Sequence, residues 1–176
     1  MKQEGLIHIY CGDGKGKTTA ALGLAIRFLG AGGRVLLVQF LKGSHTAELA
    51  VLSRLEGITV LRNTQDFGFS FTMGDEEKQQ VTRMHNQNLS AAIEACWAGE
   101  AGMLILDECL GALSTGLIDR EALFSFIRQK PPELELVLTG RNPPDELVEL
   151  ADYVSEIRCV KHPYTRGIPA RDGIEQ

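Results

Sequence analysis

The sequence predicts an α/β protein with a mainly parallel central sheet flanked by helices. Three observations predict this class. Short apolar runs alternate with longer segments in which apolar residues recur at helical spacing. The runs at 35–41 and 103–106 are apolar almost without interruption, as expected for parallel strands buried on both faces. Polar residues and glycines cluster where the predicted strands end, which is where open parallel sheets bind ligands.

The composition narrows the range of functions. A chain of 176 residues with 44% hydrophobic and 23% charged residues fits one globular domain, expected to span 1–176. The formal net charge of -5 argues against nucleic acid as a partner. The start lacks a signal peptide and no stretch approaches membrane-spanning length, so we expect a cytoplasmic protein without a membrane partner. The four cysteines form no C-x-x-C pair and are expected to be reduced.

Strands and helices are predicted in alternation along the chain. The predicted strands are 6–11, 35–41, 57–61, 103–108, 134–139 and 151–158, and the predicted helices are 17–30, 46–55, 75–98, 118–129 and 143–150. The glycines at 30–33 end the first helix. In the second helix, Leu49, Leu52 and Leu55 are expected to face inward. Asp119 is expected to cap the fourth helix.

The helix 75–98 is the longest of the predicted helices. Acidic residues at 75–77 occupy its first turn, as the helix dipole favours. Its apolar stripe, from Val81 to Trp97, suits either the core or a dimer surface. His85 lies on the same helix and has no clear partner in the sequence.

A glycine-rich loop joins the first strand to the first helix. Its glycines let backbone N–H groups turn inward together, and the helix N-terminus adds partial positive charge. Lys17 is placed to reach phosphate oxygens and Thr18 to ligate Mg²⁺. This is the layout of a phosphate-binding P-loop, so the fold is predicted to be P-loop NTPase-like (RecA-like). The predicted nucleotide-binding residues are Gly12, Asp13, Gly14, Lys15, Gly16, Lys17, Thr18 and Thr19.

This loop is one residue shorter than the usual G-x-x-x-x-G-K-[ST] pattern. Counting back from Gly16 puts the first glycine position on Cys11, and the nearest glycine is Gly12. A glycine-rich turn without a ligand is the alternative, but the strand-to-helix context argues against it. The shortened loop predicts phosphate binding with the nucleotide held differently from that of an ordinary NTPase.

Further polar residues follow other predicted strands. Asp107 and Glu108 end an apolar strand, as in a Walker B segment whose carboxylates face Mg²⁺. Lys42 and Arg141 follow two more strands. Because the carboxyl ends of parallel strands lie along one edge of a sheet, these side chains are expected to converge on the loop. Two interpretations of Arg141 remain open, contact with an anionic oxygen and a surface salt bridge.

The segment 63–74 concentrates aromatic residues. Three of the seven phenylalanines, Phe67, Phe69 and Phe71, fall within five residues. Such a loop suits a lid or an aromatic contact surface, and it equally suits a plug at the end of the core. The residues considered so far indicate Mg-nucleotide chemistry, in which Glu108 could activate water as in a kinase or NTPase.

Several segments in order resemble the ATP:corrinoid adenosyltransferases, the P-loop type of cob(I)alamin adenosyltransferase. The resemblance covers nearly the whole chain, and the order and spacing of the segments make it specific. The segments are the shortened loop itself, VQFLKG at 38–43, LDE at 106–108, TGR at 139–141, ADYVSE at 151–156, KHPY at 161–164, GIPA at 167–170 and GIE at 173–175.

The resemblance implies transfer of the 5′-deoxyadenosyl group of ATP to the cobalt of a reduced corrinoid, with triphosphate leaving. Co(I) is itself a strong nucleophile, so the protein has to orient C5′ and stabilise charge on the triphosphate. Lys17 and Arg141 are assigned to that catalytic task. The resemblance also implies a reversed nucleotide and Mg²⁺, or Mn²⁺ in its place, held by Thr18 and Glu108, with Asp107 beside them.

The resemblance gives the aromatic loop a function as well. Phe69 and Phe71 match a segment that fills the lower face of the corrinoid, excludes the axial ligand and so raises the cobalt potential toward biological reductants. Some relatives carry Trp where Phe71 stands. A homodimer and a flavoprotein electron donor are further implied. A small-molecule kinase or NTPase and a nucleotide sensor without turnover remain as alternatives, and product analysis separates them from a transferase.

Overall fold

The computed structural model of the protein describes residues 4–43, 46–63 and 73–175. Its centre is a six-stranded sheet in which all neighbouring strands run parallel, in the order β3-β2-β4-β5-β1-β6. The prediction of a P-loop NTPase-like fold with a mainly parallel sheet is confirmed. The strands are β1 Ile7–Cys11, β2 Val35–Gln39, β3 Ile58–Arg62, β4 Met103–Asp107, β5 Glu135–Thr139 and β6 Tyr153–Glu156.

Helices cover both faces of this sheet. They are α1 Lys17–Gly30, α2 Glu48–Leu52, α3 Asp75–Trp97, α4 Cys109–Ser114, α5 Arg120–Gln129 and α6 Asp145–Leu150, followed by a 3₁₀ turn at Pro163–Arg166. The predicted cap of α5 is confirmed, because the Asp119 carboxylate accepts a hydrogen bond from the Ala122 N–H. No helix within the described ranges is long and apolar enough to cross a membrane.

The core consists of two layers, one on each side of the sheet. Every residue of β2 and of β4 is buried, which explains why both strands are apolar except for the last residue, Gln39 in β2 and Asp107 in β4. Alternate side chains point to opposite faces. Leu37 of β2 packs in the layer that contains Ala21 and Ala25 of α1, whereas Leu36 packs in the layer that contains Leu89 of α3.

Strand β6 is two residues shorter at each end than the predicted 151–158, and three further elements depart from the sequence prediction. Strand β2 ends at Gln39 rather than at residue 41, because Leu41 adopts a left-handed backbone with φ of 58°. Helix α2 is shorter than predicted, and Leu55 lies beyond its end with an exposed side chain instead of facing inward. Helix α4 was not predicted, since six residues are too few to show a helical period.

Candidate active site

The glycine-rich loop lies against the chain that follows β6. Gly12 has φ of 107°, and a Cβ there would stand 2.4 Å from the Ile157 carbonyl oxygen. At Gly14 a Cβ would stand 2.8 Å from the same oxygen, to which the Gly14 N–H donates a hydrogen bond of 2.8 Å. Glycine is therefore required at both positions because no side chain fits between the two backbones.

Asp13 connects the loop to the same segment. Its carboxylate accepts a hydrogen bond of 3.0 Å from the Cys159 N–H. That hydrogen bond lowers the pKa of Asp13 below its ordinary value. Asp13 thus helps to hold the loop against the segment that follows β6. Its predicted contact with nucleotide stays a prediction.

A cleft of about 690 Å³ opens over the second half of the loop and the start of α1. Five of the eight predicted nucleotide-binding residues border it, namely Lys15, Gly16, Lys17, Thr18 and Thr19. Helix α2 borders the cleft on one side, and Gly173, Ile174 and Glu175 of the C-terminal segment border it too. The Lys17 ammonium donates a hydrogen bond of 2.9 Å to the Gly14 carbonyl, within the loop itself.

The fully buried carboxylate of Asp107 is the polar centre of the site. Its Oδ1 accepts hydrogen bonds from Thr18 Oγ1 at 2.8 Å and from Thr139 Oγ1 at 2.7 Å. Its Oδ2 lies 2.7 Å from the Lys42 ammonium. The structure therefore brings two predicted metal ligands, Thr18 and Asp107, into direct contact. Lys42, which was expected to converge on the loop, lies in the same network, and so does Thr139, which was not predicted as a site residue.

Glu108 lies beside Asp107 in a constrained backbone conformation. Its φ is 58°, and its N–H donates a hydrogen bond of 2.9 Å to Thr139 Oγ1. Its side chain borders the cleft. Burial, followed by the neighbouring Asp107 charge, raises the pKa of Glu108, while the charges of Lys42, Lys17 and Arg141 oppose that rise.

Arg141 is exposed at the same edge of the sheet. Its charge contributes to lowering the pKa of Asp13 and opposes the rise in the pKa of Glu108. Its catalytic assignment stays a prediction.

The backbone around Lys42 is held by hydrogen bonds to His85 and Arg62. Leu41 has its left-handed φ, and its N–H donates a hydrogen bond of 3.3 Å to His85 Nε2. The other ring nitrogen of His85 donates to the Leu117 carbonyl at 2.9 Å. Arg62, at the end of β3, donates to the Lys42 carbonyl at 3.0 Å. His85, for which the sequence showed no partner, thus has two, and no signal in the sequence could have revealed them.

The oxygen donors at this centre suit a magnesium ion. Thr18, Asp107 and Glu108 offer one hydroxyl and two carboxylates, the hard ligands that Mg²⁺ prefers. Within 4–43, 46–63 and 73–175, no group of three or more His, Cys, Asp or Glu residues could hold a metal ion. Mg²⁺ is usually bound through one or two carboxylates plus substrate phosphate, and Mg²⁺ binding by these residues stays a prediction.

The predicted aromatic residues Phe67, Phe69 and Phe71 lie outside the described residues. Strand β3, which precedes them, lies next to β2, and β2 lies next to β4. The described chain resumes at Met73, which is buried against Val81 and Leu117.

Comparison with known proteins adds an independent line of evidence. Residues 3–176 match the family described as ATP:corrinoid adenosyltransferase BtuR/CobO/CobP. A corrinoid adenosyltransferase of Sinorhizobium sp is 33% identical over 98% of this chain and 81% of its own length. A corrinoid adenosyltransferase of Pseudomonas aeruginosa is 31% identical over 98% of this chain and 84% of its own. Corrinoid adenosyltransferase CobA of Salmonella typhimurium is 31% identical over 99% of this chain and 87% of its own.

One solved structure shows a distant likeness to this chain. ATPases 2 and 3 of EssC from Geobacillus thermodenitrificans cover 97% of this chain and 36% of that one, at 15% identity and a TM-score of 0.48. A likeness at that level has no bearing on function. The family match over nearly the whole chain and the relatives above 30% identity agree with the site geometry, and the chain belongs to the ATP:corrinoid adenosyltransferase family.

Proposed function

We propose that this protein transfers the 5′-deoxyadenosyl group of ATP to the Co(I) centre of a corrinoid and releases triphosphate. The proposal assigns the whole chain, 1–176, to one adenosyltransferase domain. The observation that carries it is the contact of Thr18 in the shortened loop with Asp107 at the end of β4, within a chain that belongs to this family.

The reaction needs no proton transfer from the protein. The electron pair of Co(I) forms a bond to C5′ of ATP, the bond between C5′ and the α-phosphate oxygen breaks, and its electrons leave with triphosphate. The protein has to bind the triphosphate, present C5′ to cobalt and exclude water. We infer a reversed nucleotide in the shortened loop, with its adenosine directed toward the corrinoid.

The charges around the cleft suit an anionic leaving group. Lys15 and Lys17 border the cleft, and Lys42 borders it from the end of β2. Donors that are in place before the reaction stabilise developing negative charge without reorganisation. Thr18, Asp107 and Glu108 would hold Mg²⁺ or Mn²⁺, which when bound supplies Lewis-acid stabilisation of the triphosphate oxygens. Lys17 and Arg141 are proposed as the catalytic cations.

Phe69 and Phe71 are proposed to cover the lower face of the corrinoid. Their loop follows β3, whose carboxyl end shares a sheet edge with the ends of β2 and β4. Aromatic side chains at that face exclude water and a base ligand, which makes Co(II) easier to reduce. A flavoprotein is the proposed class of electron donor, a homodimer the proposed assembly and the cytoplasm the proposed location.

Product analysis tests the proposal. The protein is incubated without oxygen with MgATP and a chemically reduced Co(I) corrinoid, and both products are identified. We expect triphosphate together with an adenosylated corrinoid. ADP as the product would instead indicate a kinase or ATPase, and recovery of intact ATP would indicate a sensor without turnover.

The aromatic loop has a separate test. In Phe71→Ala we expect reduction of Co(II) corrinoid to be impaired more than adenosyl transfer to chemically supplied Co(I). Phe71→Trp keeps an aromatic ring and serves as the matched control. Equal losses in the two assays for Phe71→Ala would contradict the proposed contact with the lower face.

A further inference from the structure

The ammonium of Lys42 lies between two residues that are predicted to bind the metal. Its Nζ is 2.7 Å from Asp107 Oδ2 and 3.3 Å from Thr18 Oγ1. The Asp107 side chain is fully buried, and that of Lys42 is 22% exposed. A buried carboxylate without a countercharge is strongly unfavourable, so Lys42 supplies the positive charge that Asp107 requires.

Contacts to the backbone of Leu41 and Lys42 fix the point from which the Lys42 side chain extends. Leu41 is held in a left-handed conformation, with its N–H bonded to the buried His85 ring. Arg62 binds the Lys42 carbonyl from the neighbouring strand. A non-glycine residue with positive φ persists only where its surroundings enforce it. The backbone position of Lys42 is therefore fixed by the fold, and from that position its side chain reaches Asp107.

We propose that Lys42 is a resident cation that takes the metal's place between Thr18 and Asp107 while nucleotide is absent. The inference rests on the proposed function, in which those two residues help to hold Mg²⁺. A divalent ion and an ammonium in contact with the same oxygens repel each other strongly in a buried site. Metal therefore binds poorly to the nucleotide-free protein and enters together with ATP.

The entry of ATP gives the ammonium another partner. Lys42 borders the same cleft as Lys17 and Glu108, and its four-carbon stem can swing while its backbone stays fixed. Triphosphate oxygens in the cleft offer the ammonium a new anionic contact as the metal takes its former one. By thermodynamic linkage, ATP then raises the affinity for metal by the same factor by which metal raises the affinity for ATP.

The test measures Mn²⁺ binding to the purified full chain by electron paramagnetic resonance, with no corrinoid present. In Lys42→Met, which keeps the length of the stem, we expect Mn²⁺ affinity without nucleotide to rise at least about tenfold. With ATP bound, the affinities of variant and wild type should differ much less. Lys42→Arg retains the charge and should bind Mn²⁺ as weakly as wild type. Lys78→Met removes an exposed lysine of α3 and should leave Mn²⁺ affinity unchanged.

A second readout covers the case in which Lys42→Met folds poorly. Its melting temperature in EDTA should lie below that of wild type, and adding Asp107→Asn should restore most of the difference because both buried charges are then absent. Wild-type Mn²⁺ affinity in Lys42→Met, or a double variant no more stable than the single one, would overturn the inference. Failure of the proposed function would appear elsewhere, in product analysis with corrinoid.

Discussion

Thr139→Val tests whether the Asp107 network stabilises the protein. The replacement keeps the shape of a fully buried side chain and exchanges its hydroxyl for a methyl group. That hydroxyl donates to Asp107 Oδ1 and accepts from the Glu108 N–H. A hydrogen bond to a charged group is worth about 1.5–3 kcal/mol, and an unsatisfied buried N–H costs about 1–3 kcal/mol. Together these effects should lower the free energy of unfolding by about 2.5–6 kcal/mol.

Urea unfolding followed by circular dichroism measures this loss. Thr82→Val makes the same chemical change at a helix position whose hydroxyl donates to the Lys78 carbonyl, and it should cost less than about 0.5 kcal/mol. Thr139→Ser retains the hydroxyl and should lose roughly 1 kcal/mol through the missing methyl group.

One result would refute the reasoning behind Thr139→Val. A loss below about 1 kcal/mol, no larger than that of Thr139→Ser, would mean that Asp107 and the Glu108 N–H are satisfied without Thr139. An unchanged slope of unfolding free energy against urea is required for the comparison, because a changed slope signals a different denatured state.

Three further predictions concern the loop, the buried histidine and the tail. Lys17→Ala should reduce adenosyl transfer to Co(I) corrinoid by more than about 100-fold, and near-normal turnover would contradict the assigned function. Burial lowers the pKa of His85 from its ordinary value of 6.5. As the pH falls below 6.5, His85 therefore gains a proton in the unfolded chain before it does so in the folded protein, and the free energy of unfolding should decline. His85→Gln should lack this part of the decline in urea unfolding between about pH 7.5 and 5.5, and an identical decline would exclude His85 as its source. Glu175 borders the cleft as an anion that pairs with Arg171. Glu175→Gln should therefore tighten ATP binding up to about fivefold in a fluorescent-nucleotide displacement assay, whereas weaker binding would show that Glu175 assists the nucleotide.

The strands and the phosphate loop follow directly from local patterns in the sequence. Continuous apolar runs predict strands buried on both faces, and β2 and β4 are buried at every position. Glycines flanked by a strand and a helix predict the loop, and α1 spans Lys17–Gly30 as predicted. These features are local. The loop depends on the conformational freedom of its own glycines, and a strand or helix depends on the spacing of apolar side chains within its own segment.

Features that depend on tertiary packing were missed or misplaced. Leu41 belongs to an apolar run that reads as strand, yet the bond to His85, 44 residues away, accompanies a left-handed turn there. Leu55 has the spacing of a helix face, but α2 ends at Leu52 and leaves it exposed. Local propensity is a weak prior that tertiary contacts override.

The sequence by itself determined the fold class, the loop and the family, and it predicted that polar side chains meet at one edge of the sheet. Only the tertiary structure decided which of them touch. In the order β2-β4-β5-β1, the chain segments that carry Lys42, Asp107, Thr139 and Thr18 lie side by side although they are far apart in sequence. The order of strands is set by how the whole chain packs, and periodicity within a segment holds no information about its neighbours.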